Sequence, residues 1–434
     1  MASTSSQPST PQLVRLSNGV QVLTLALPHL QTASVSVFVR CGSAHERPRL
    51  NGIGHVIEHM AFKGTATRDA RQINLDAERL GAEVNAHTDK DHTAFHMRGL
   101  GEHAPRLVRM LGDIVRHATY PEAEFVHERG VLLHEFTEDE DDPMSTAFKL
   151  FDRASWGQHP SAQPVIGTRA NIERFSRDDL VGQVARHYTG ANVVVAAAGA
   201  IDAEAVQREA EAAFGSMPAG TPNTLAAPAW LGGLRHRAMA GSSQTHLVMG
   251  FGIPAMQADD PTAAVAAALL GEGMSSPLMD QLREQHGLVY YAACSADVID
   301  SAGQFVIEAS TSPKQLDDCL TALARLIVAQ AETIAPIDLQ RARNQLRVRR
   351  LRGLEKTGRR LEALALDALL LGRLRSHEDT LARIEAVTAA QLRKAFARML
   401  AGGAALAITG RVPRGTADRA RALLAQHGLA CGAA

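Results

Sequence analysis

Thr93-Ala94-Phe95-His96-Met97, leading into a helical stretch from Glu102, has an echo 210 residues further on: Gly303-Gln304-Phe305-Val306-Ile307 leads into a helical stretch from Lys314. Each reads as strand, loop, helix. The echo extends outward, because 178–187, 192–198 and 203–214 run helix, strand, helix, and so do 388–399, 404–409 and 416–427. A constant offset of about 210 residues makes a duplicated domain the economical reading. The expected fold class is α+β, with each copy a mostly antiparallel sheet covered by helices.

Upstream of the first copy of this pattern, Val14, Leu16, Val20 and Val22 alternate with polar neighbours around Asn18-Gly19, the sign of a hairpin. A strand follows over 34–40. Apolar spacing then predicts helices at about 51–62, 68–80, 103–117 and 122–140, with breaks at Gly64, Gly81 and Pro143. Met217-Pro218-Ala219-Gly220-Thr221-Pro222 opens a stretch rich in Pro, Gly, Ala and Ser. The expected organisation is a disordered leader over 1–10, an N-terminal domain over 11–216, a linker over 217–243 and a C-terminal domain over 244–434.

Composition narrows the function classes. Lys and Arg number 45 against 46 Asp and Glu, so no net field draws the chain to nucleic acid or an anionic membrane. The basic stretch 341–360 has helical spacing and no interleaved aromatics, and reads as a solvated helix face. No run reaches the roughly 20 apolar residues of a membrane helix. Cys41, Cys294, Cys319 and Cys431 are too scattered for a disulfide framework and read as buried thiols. The first residues lack the basic start and apolar core of an export signal, so the expected compartment is the cytoplasm, with the periplasm open to a chain already processed.

The residues that carry chemistry are His55-Val56-Ile57-Glu58-His59. On a helix, positions four apart share a face, so two imidazoles converge on one ion with Glu58 in the same sector. Two neutral imidazoles suit zinc, and a neighbouring carboxylate can take a proton from water. The order His-x-x-Glu-His is a recognised inverted form of the zinc-peptidase signature. A catalytic zinc also needs a third protein ligand on another element. In His127-Glu128-Arg129-Gly130-Val131-Leu132-Leu133-His134-Glu135-Phe136 the two glutamates lie seven apart, on one helical stripe.

Together these segments resemble the pitrilysin-type inverted zincins, the family of insulin-degrading enzyme and mitochondrial processing peptidase. The run from His55 to Thr65 is similar to the processing-peptidase branch in its two-domain, bacterial-type form. The resemblance implies one zinc per chain held by His55, His59 and Glu135, with Glu58 as the catalytic carboxylate and Glu128 orienting a ligating histidine. It assigns the catalytic domain to 11–216 and the substrate-binding domain to 244–434. His87, His92, His96, His127 and His134 are expected to be structural, and the acidic run 138–142 a solvated helix end.

The resemblance reaches the substrate as well. Glu83-Val84-Asn85-Ala86-His87-Thr88 is similar to the family's substrate-side edge strand, which places Asn85 and Ala86 against an extended peptide. In the second half, Arg283 and Tyr290 fall on the family's arginine and tyrosine that reach the substrate. The C-terminal half has no His-x-x-Glu-His of its own. The implied activity is a zinc metalloendopeptidase cleaving unfolded or short peptides in a clamshell chamber formed by two chains, as a homodimer or with a related subunit. The alternatives are a non-catalytic assembly subunit of the same fold and a zinc hydrolase of small molecules.

Overall fold

The structure, a computed structural model, describes residues 10–432. The leader expected over 1–10 therefore lies outside the described residues, Thr10 excepted. Contacts divide the chain into two units. The first takes residues up to Phe136, Pro164–Leu225 and Arg352–Arg375; the second takes Thr137–Gln163, Ala226–Leu351 and Ser376 onward.

The first unit holds six strands: β1 (Gln12–Arg15), β2 (Gln21–Ala26), β3 (Thr32–Val39), β4 (Glu83–Thr88), β5 (Thr93–Leu100) and β6 (Val193–Gly199). They lie in the order β1-β2-β6-β3-β5-β4. β2 and β6 are parallel and every other pairing is antiparallel. The hairpin anticipated at Asn18-Gly19 joins β1 to β2.

Alternation sets the two faces of this sheet. Val35, Val37 and Val39 of β3 join Phe95 and Met97 of β5 in a fully buried core. Helix α3 (Ala104–His117) covers that core with Leu107, Val108, Leu111 and Val115. Helices α1 (Ile53–Ala61), α2 (Ala70–Arg79) and α4 (Glu122–Asp141) complete the layer. β6, in the middle, is buried along its whole length. Its second face carries Val194, Ala196 and Ala198, small enough for a helix to approach closely. The helix that packs there is Thr357–Leu366, more than 150 residues later in the sequence.

The second unit holds β7 (Leu234–Ala238), β8 (Thr245–Ile253), β9 (Val289–Val298), β10 (Gly303–Thr311) and β11 (Ala405–Gly410), ordered β7-β11-β8-β10-β9. β7 and β11 are parallel, the rest antiparallel. Helix α5 (Pro143–Trp156) lies on one face, where Ala147, Phe151 and Ala154 bury Val248, Val306, Ala405 and Ala407. Each sheet thus receives one covering helix from the other half of the sequence.

These observations revise the linear division in two ways. The stretch 217–243 is not all connection, since β7 forms within it; the Pro and Gly that flank 234–238 mask a five-residue strand. Residues 137–163 and 352–375 also leave the halves to which chain order assigns them, because a sheet apolar on both faces must be covered twice. The acidic run is bound as well as solvated. Lys149 Nζ meets Asp139 at 2.6 Å, and Asp142 caps α5 through the Ser145 amide at 2.9 Å. In the basic stretch, Arg341 donates to the carbonyls of Leu269 and Glu272, so part of that face serves packing.

Candidate metal centre

Helix α1 starts where the chain turns through Gly52, whose φ of 98° lies in the left-handed region that favours glycine. The buried Glu46 carboxylate accepts from the Gly52 and Gly54 amides, each at 2.7 Å, and from Asn51 Nδ2 at 3.0 Å. These bonds satisfy amides that have no partner within the helix, and so fix where α1 begins. Burial pushes the Glu46 carboxyl up to about 7, against the lowering pull of the same hydrogen bonds.

From that start, His55, Glu58 and His59 fall on one flank of α1, all half-buried, while Val56, Ile57 and Met60 enter the core. The two imidazole rings lie 4.6 Å apart, edge to face. Helix α4 brings Glu135 to them. Its Oε1 is 3.6 Å from His55 Nε2 and its Oε2 is 3.5 Å from His59 Nε2. One donor atom from each of the three residues lies within 4.8 Å of the others.

This set fits a zinc ion. Tetrahedral ligand bonds of about 2.1 Å separate neighbouring donor atoms by about 3.4 Å, close to the spacing seen. Burial, with the adjacent His59, pushes His55 down to about 4, so its imidazole is neutral at neutral pH, as a ligand must be. His55 Nδ1 is buried with no hydrogen-bond partner among the described residues. His59 differs, because its Nδ1 lies 2.9 Å from Glu128 Oε1. The two nitrogens of this one ring therefore face two carboxylates spaced two turns apart on α4. Glu128 is 4% exposed, with Lys63 Nζ 2.5 Å from its other oxygen. Burial raises its carboxyl, but the bonds from Lys63 and His59 outweigh that and hold it below the usual range.

Glu58 is positioned from the sheet. Thr88 Oγ1, at the end of β4, donates to Glu58 Oε2 at 2.6 Å. Burial raises the Glu58 carboxyl above its ordinary value in spite of that bond. A half-buried carboxylate with an elevated proton affinity, next to a cluster that could hold a metal ion, suits proton transfer. Reading the sequence missed Glu46, Lys63 and Thr88. Thr88 and Lys63 stand inside motifs already quoted, whereas Glu46 acts on amides five to eight residues away and leaves no periodic signal.

The remaining candidates fall into separate groups. β4 is the sheet's edge strand, with Asn85 exposed and its Oδ1 accepting from the Ala86 amide at 2.8 Å. His87 contacts both His92 and His96. His96 Nε2 is 3.0 Å from His87 Nδ1, and His87 Nε2 is 3.2 Å from His92 Nε2. Ser36 and Asp91 close the two ends of that chain. Arg283 and Tyr290 belong to the second unit, where the guanidinium lies 5.2 Å from the centre of the tyrosine ring. Tyr290 is 81% exposed at the start of edge strand β9.

Most of the chain is similar to known proteins. Residues 21–169 match the family described as Insulinase (Peptidase family M16), and residues 174–346 match the Peptidase M16 inactive domain. A protein of Rickettsia bellii described as an uncharacterized zinc protease is 30% identical over 91% of this chain and 96% of its own. The uncharacterized zinc protease YmxG of Bacillus subtilis is 30% identical, covering 85% of this chain and 91% of its own. Among solved structures, a protease from Helicobacter pylori superposes with a TM-score of 0.85 at 21% identity, covering 93% of this chain and all of that one. The Pseudomonas fluorescens peptidase M16 inactive domain superposes with a TM-score of 0.86 at 20% identity, covering 93% of this chain and 98% of that one. The structures establish the shared two-sheet fold, and the sequences establish descent: this chain belongs to the insulinase, or pitrilysin, family of metallopeptidases, peptidase family M16.

Proposed function

We propose that this protein is a zinc-dependent endopeptidase that cleaves unfolded or short peptides, with His55, His59 and Glu135 as ligands of one zinc per chain. The observation that carries this reading is the convergence of three donor atoms from α1 and α4 beside a carboxylate, Glu58, that β4 holds in place. The naming of the relatives as zinc proteases supports it.

When bound, zinc polarises the substrate carbonyl and acidifies the attacking water. Glu58 accepts a proton from that water and passes it to the departing amine, with Thr88 keeping its carboxylate aimed. Glu128 fixes the orientation of the His59 ring through Nδ1. The open edge of β4, around Asn85 and Ala86, offers main-chain hydrogen bonds to an extended peptide, with little demand on its sequence. Arg283 and Tyr290 are assigned to holding the substrate carbonyl, where a guanidinium and a phenol stabilise developing negative charge. Two copies, or one copy and a related subunit, form a chamber that selects by size and flexibility.

The test is Glu58→Gln, assayed on a mixed-peptide digest by mass spectrometry, alongside zinc content. The variant is expected to keep its zinc and lose about 10²–10⁴-fold in cleavage. Undiminished turnover overturns the role of Glu58. A wild-type protein that binds zinc and cleaves nothing belongs instead to the non-catalytic assembly class.

A further inference from the structure

Strand β4 has two ends, and only one meets the metal centre. Thr88, at that end, touches Glu58. Glu83, at the other, lies five residues away, about 17 Å along an extended strand. There the sheet and the start of helix Thr357–Leu366 line an open groove of about 610 Å³ within the first unit, with Arg98, Lys356 and Arg359 exposed at it. Its charged lining is Arg98, Lys356 and Arg359 against Glu83 alone.

None of these three cations has a carboxylate within ion-pair distance among the described residues, although the molecule pairs many of its other arginines, such as Arg68 with Asp76 at 2.9 Å and Arg109 with Glu209 at 2.7 Å. Arg98 lies directly opposite Glu83 in the β4–β5 register, yet makes no bond to it. Its guanidinium turns instead towards the backbone at Gly358, where a Cβ would stand 3.1 Å from Nη2. Three like charges line one groove, and an anion seated there gains from all three at once, by an amount that solvent screening keeps modest.

Register connects this groove to the edge strand. Across a sheet, directly opposed residues project to the same side, so Glu83 and Arg98 share a face. Two-residue alternation adds Asn85 and His87 to that face, and His87 lies 3.9 Å from Glu362 of the covering helix. A peptide added alongside β4 sends every second side chain to the same side. The one that passes Glu83 arrives beside the cations.

We propose that this groove is a second recognition subsite, taking a peptide carboxylate about five or six residues from the cleaved bond. The carboxylate is an Asp or Glu side chain or the peptide's own C-terminus. This inference rests on the endopeptidase reading and adds a sequence preference to it.

The experiment uses the zinc-loaded full-length protein on a proteome-derived peptide mixture, with cleavage sites read by mass spectrometry. Wild type is expected to enrich Asp and Glu, or a free C-terminus, about five or six residues from the cut. Arg98→Ala/Lys356→Ala/Arg359→Ala should lose that enrichment, and Lys356→Glu/Arg359→Glu should turn it into a preference for Lys and Arg. For one cleaved peptide, changing the distal Glu to Gln should raise KM about fivefold, the worth of one partly exposed charge pair. C-terminal amidation separates the two sources, since it removes the preference only if the terminus is what binds. Cleavage with no acidic enrichment, or enrichment that survives the triple variant, overturns the subsite and leaves the peptidase reading standing. No cleavage at all overturns the peptidase reading itself.

Discussion

Apart from β1, the first sheet of this molecule is a close copy of the second, and the helices that follow β3 and β8 differ. β2-β6-β3-β5-β4 and β7-β11-β8-β10-β9 repeat the same order, with the same single parallel pair at the same place. Even a cross-strand contact recurs. Ser36 and His96 pair at 2.8 Å between β3 and β5, and His246 and Ser310 pair at 2.8 Å between β8 and β10. After β3 comes α1, which buries one flank and leaves His55, Glu58 and His59 half-exposed on the other. After β8 comes helix Thr262–Gly271, Thr-Ala-Ala-Val-Ala-Ala-Ala-Leu-Leu-Gly, which carries no His, Cys, Asp or Glu and buries Val265 to Leu270 without a break. Duplication therefore preserves the scaffold, and chemistry needs a helix whose polar flank stays open.

The largest effect expected from that difference is on metal. Glu135→Ala should reduce zinc, measured by atomic absorption on dialysed protein, from one per chain to none and lower peptide cleavage by about 10³-fold or more. Zinc retained by this variant would mean that some other donor set, in either sheet's surroundings, holds the ion.

The exchanged cover comes next. Phe151→Ala opens a cavity under α5 and should cost about 3–5 kcal/mol. If α5 serves the sheet it covers, faster hydrogen exchange will appear in β8, β10 and β11. Loss confined to β2, β3 and β5 would restore chain order as the basis of domain stability.

Glu46 gives a pH-dependent signal at the start of α1. Its folded value, about 7, is raised above the ordinary carboxyl range, so the folded protein binds more protons than the unfolded chain at intermediate pH. Its contribution is fully present below about pH 4.5 and is lost as pH rises through 7, with a span of at most about 3 kcal/mol. Urea midpoints of wild type and Glu46→Gln should therefore converge between pH 5 and pH 8, wild type losing its relative advantage as pH rises. A gap that ignores pH would show that Glu46 does not titrate there.

The smallest expected effect sharpens the metal comparison. Glu128→Gln keeps a hydrogen-bond acceptor near His59 Nδ1 but removes the charge, and should weaken zinc about 10- to 100-fold in a competitive chelator titration. Unchanged affinity would leave Glu128 as a partner of Lys63 alone.

Much of this was legible in the residues. The helix over 51–62 and its two histidines followed from local periodicity, and α1 spans Ile53–Ala61. The repeat at 93–97 and 303–307 anticipated β5 and β10. Glu128 and Glu135 were placed on one stripe by their spacing, and both face His59. The strand at 234–238 was hidden by its Pro and Gly flanks, and Glu46, a lone acid before a turn, gave no pattern to detect.

The sequence by itself determined what depends on near neighbours: strand alternation, helix faces, the hairpin at Asn18-Gly19 and the sharing of one flank by His55 and His59. These follow from backbone geometry that repeats every two or 3.6 residues. Tertiary structure alone decided which helix covers which sheet, that Glu135 reaches both imidazoles, that Thr88 holds Glu58, and that Arg98 shares a groove with Lys356 and Arg359. Such pairings join residues tens to hundreds of positions apart, and they are selected by which apolar faces meet in the core, a choice that no local pattern records.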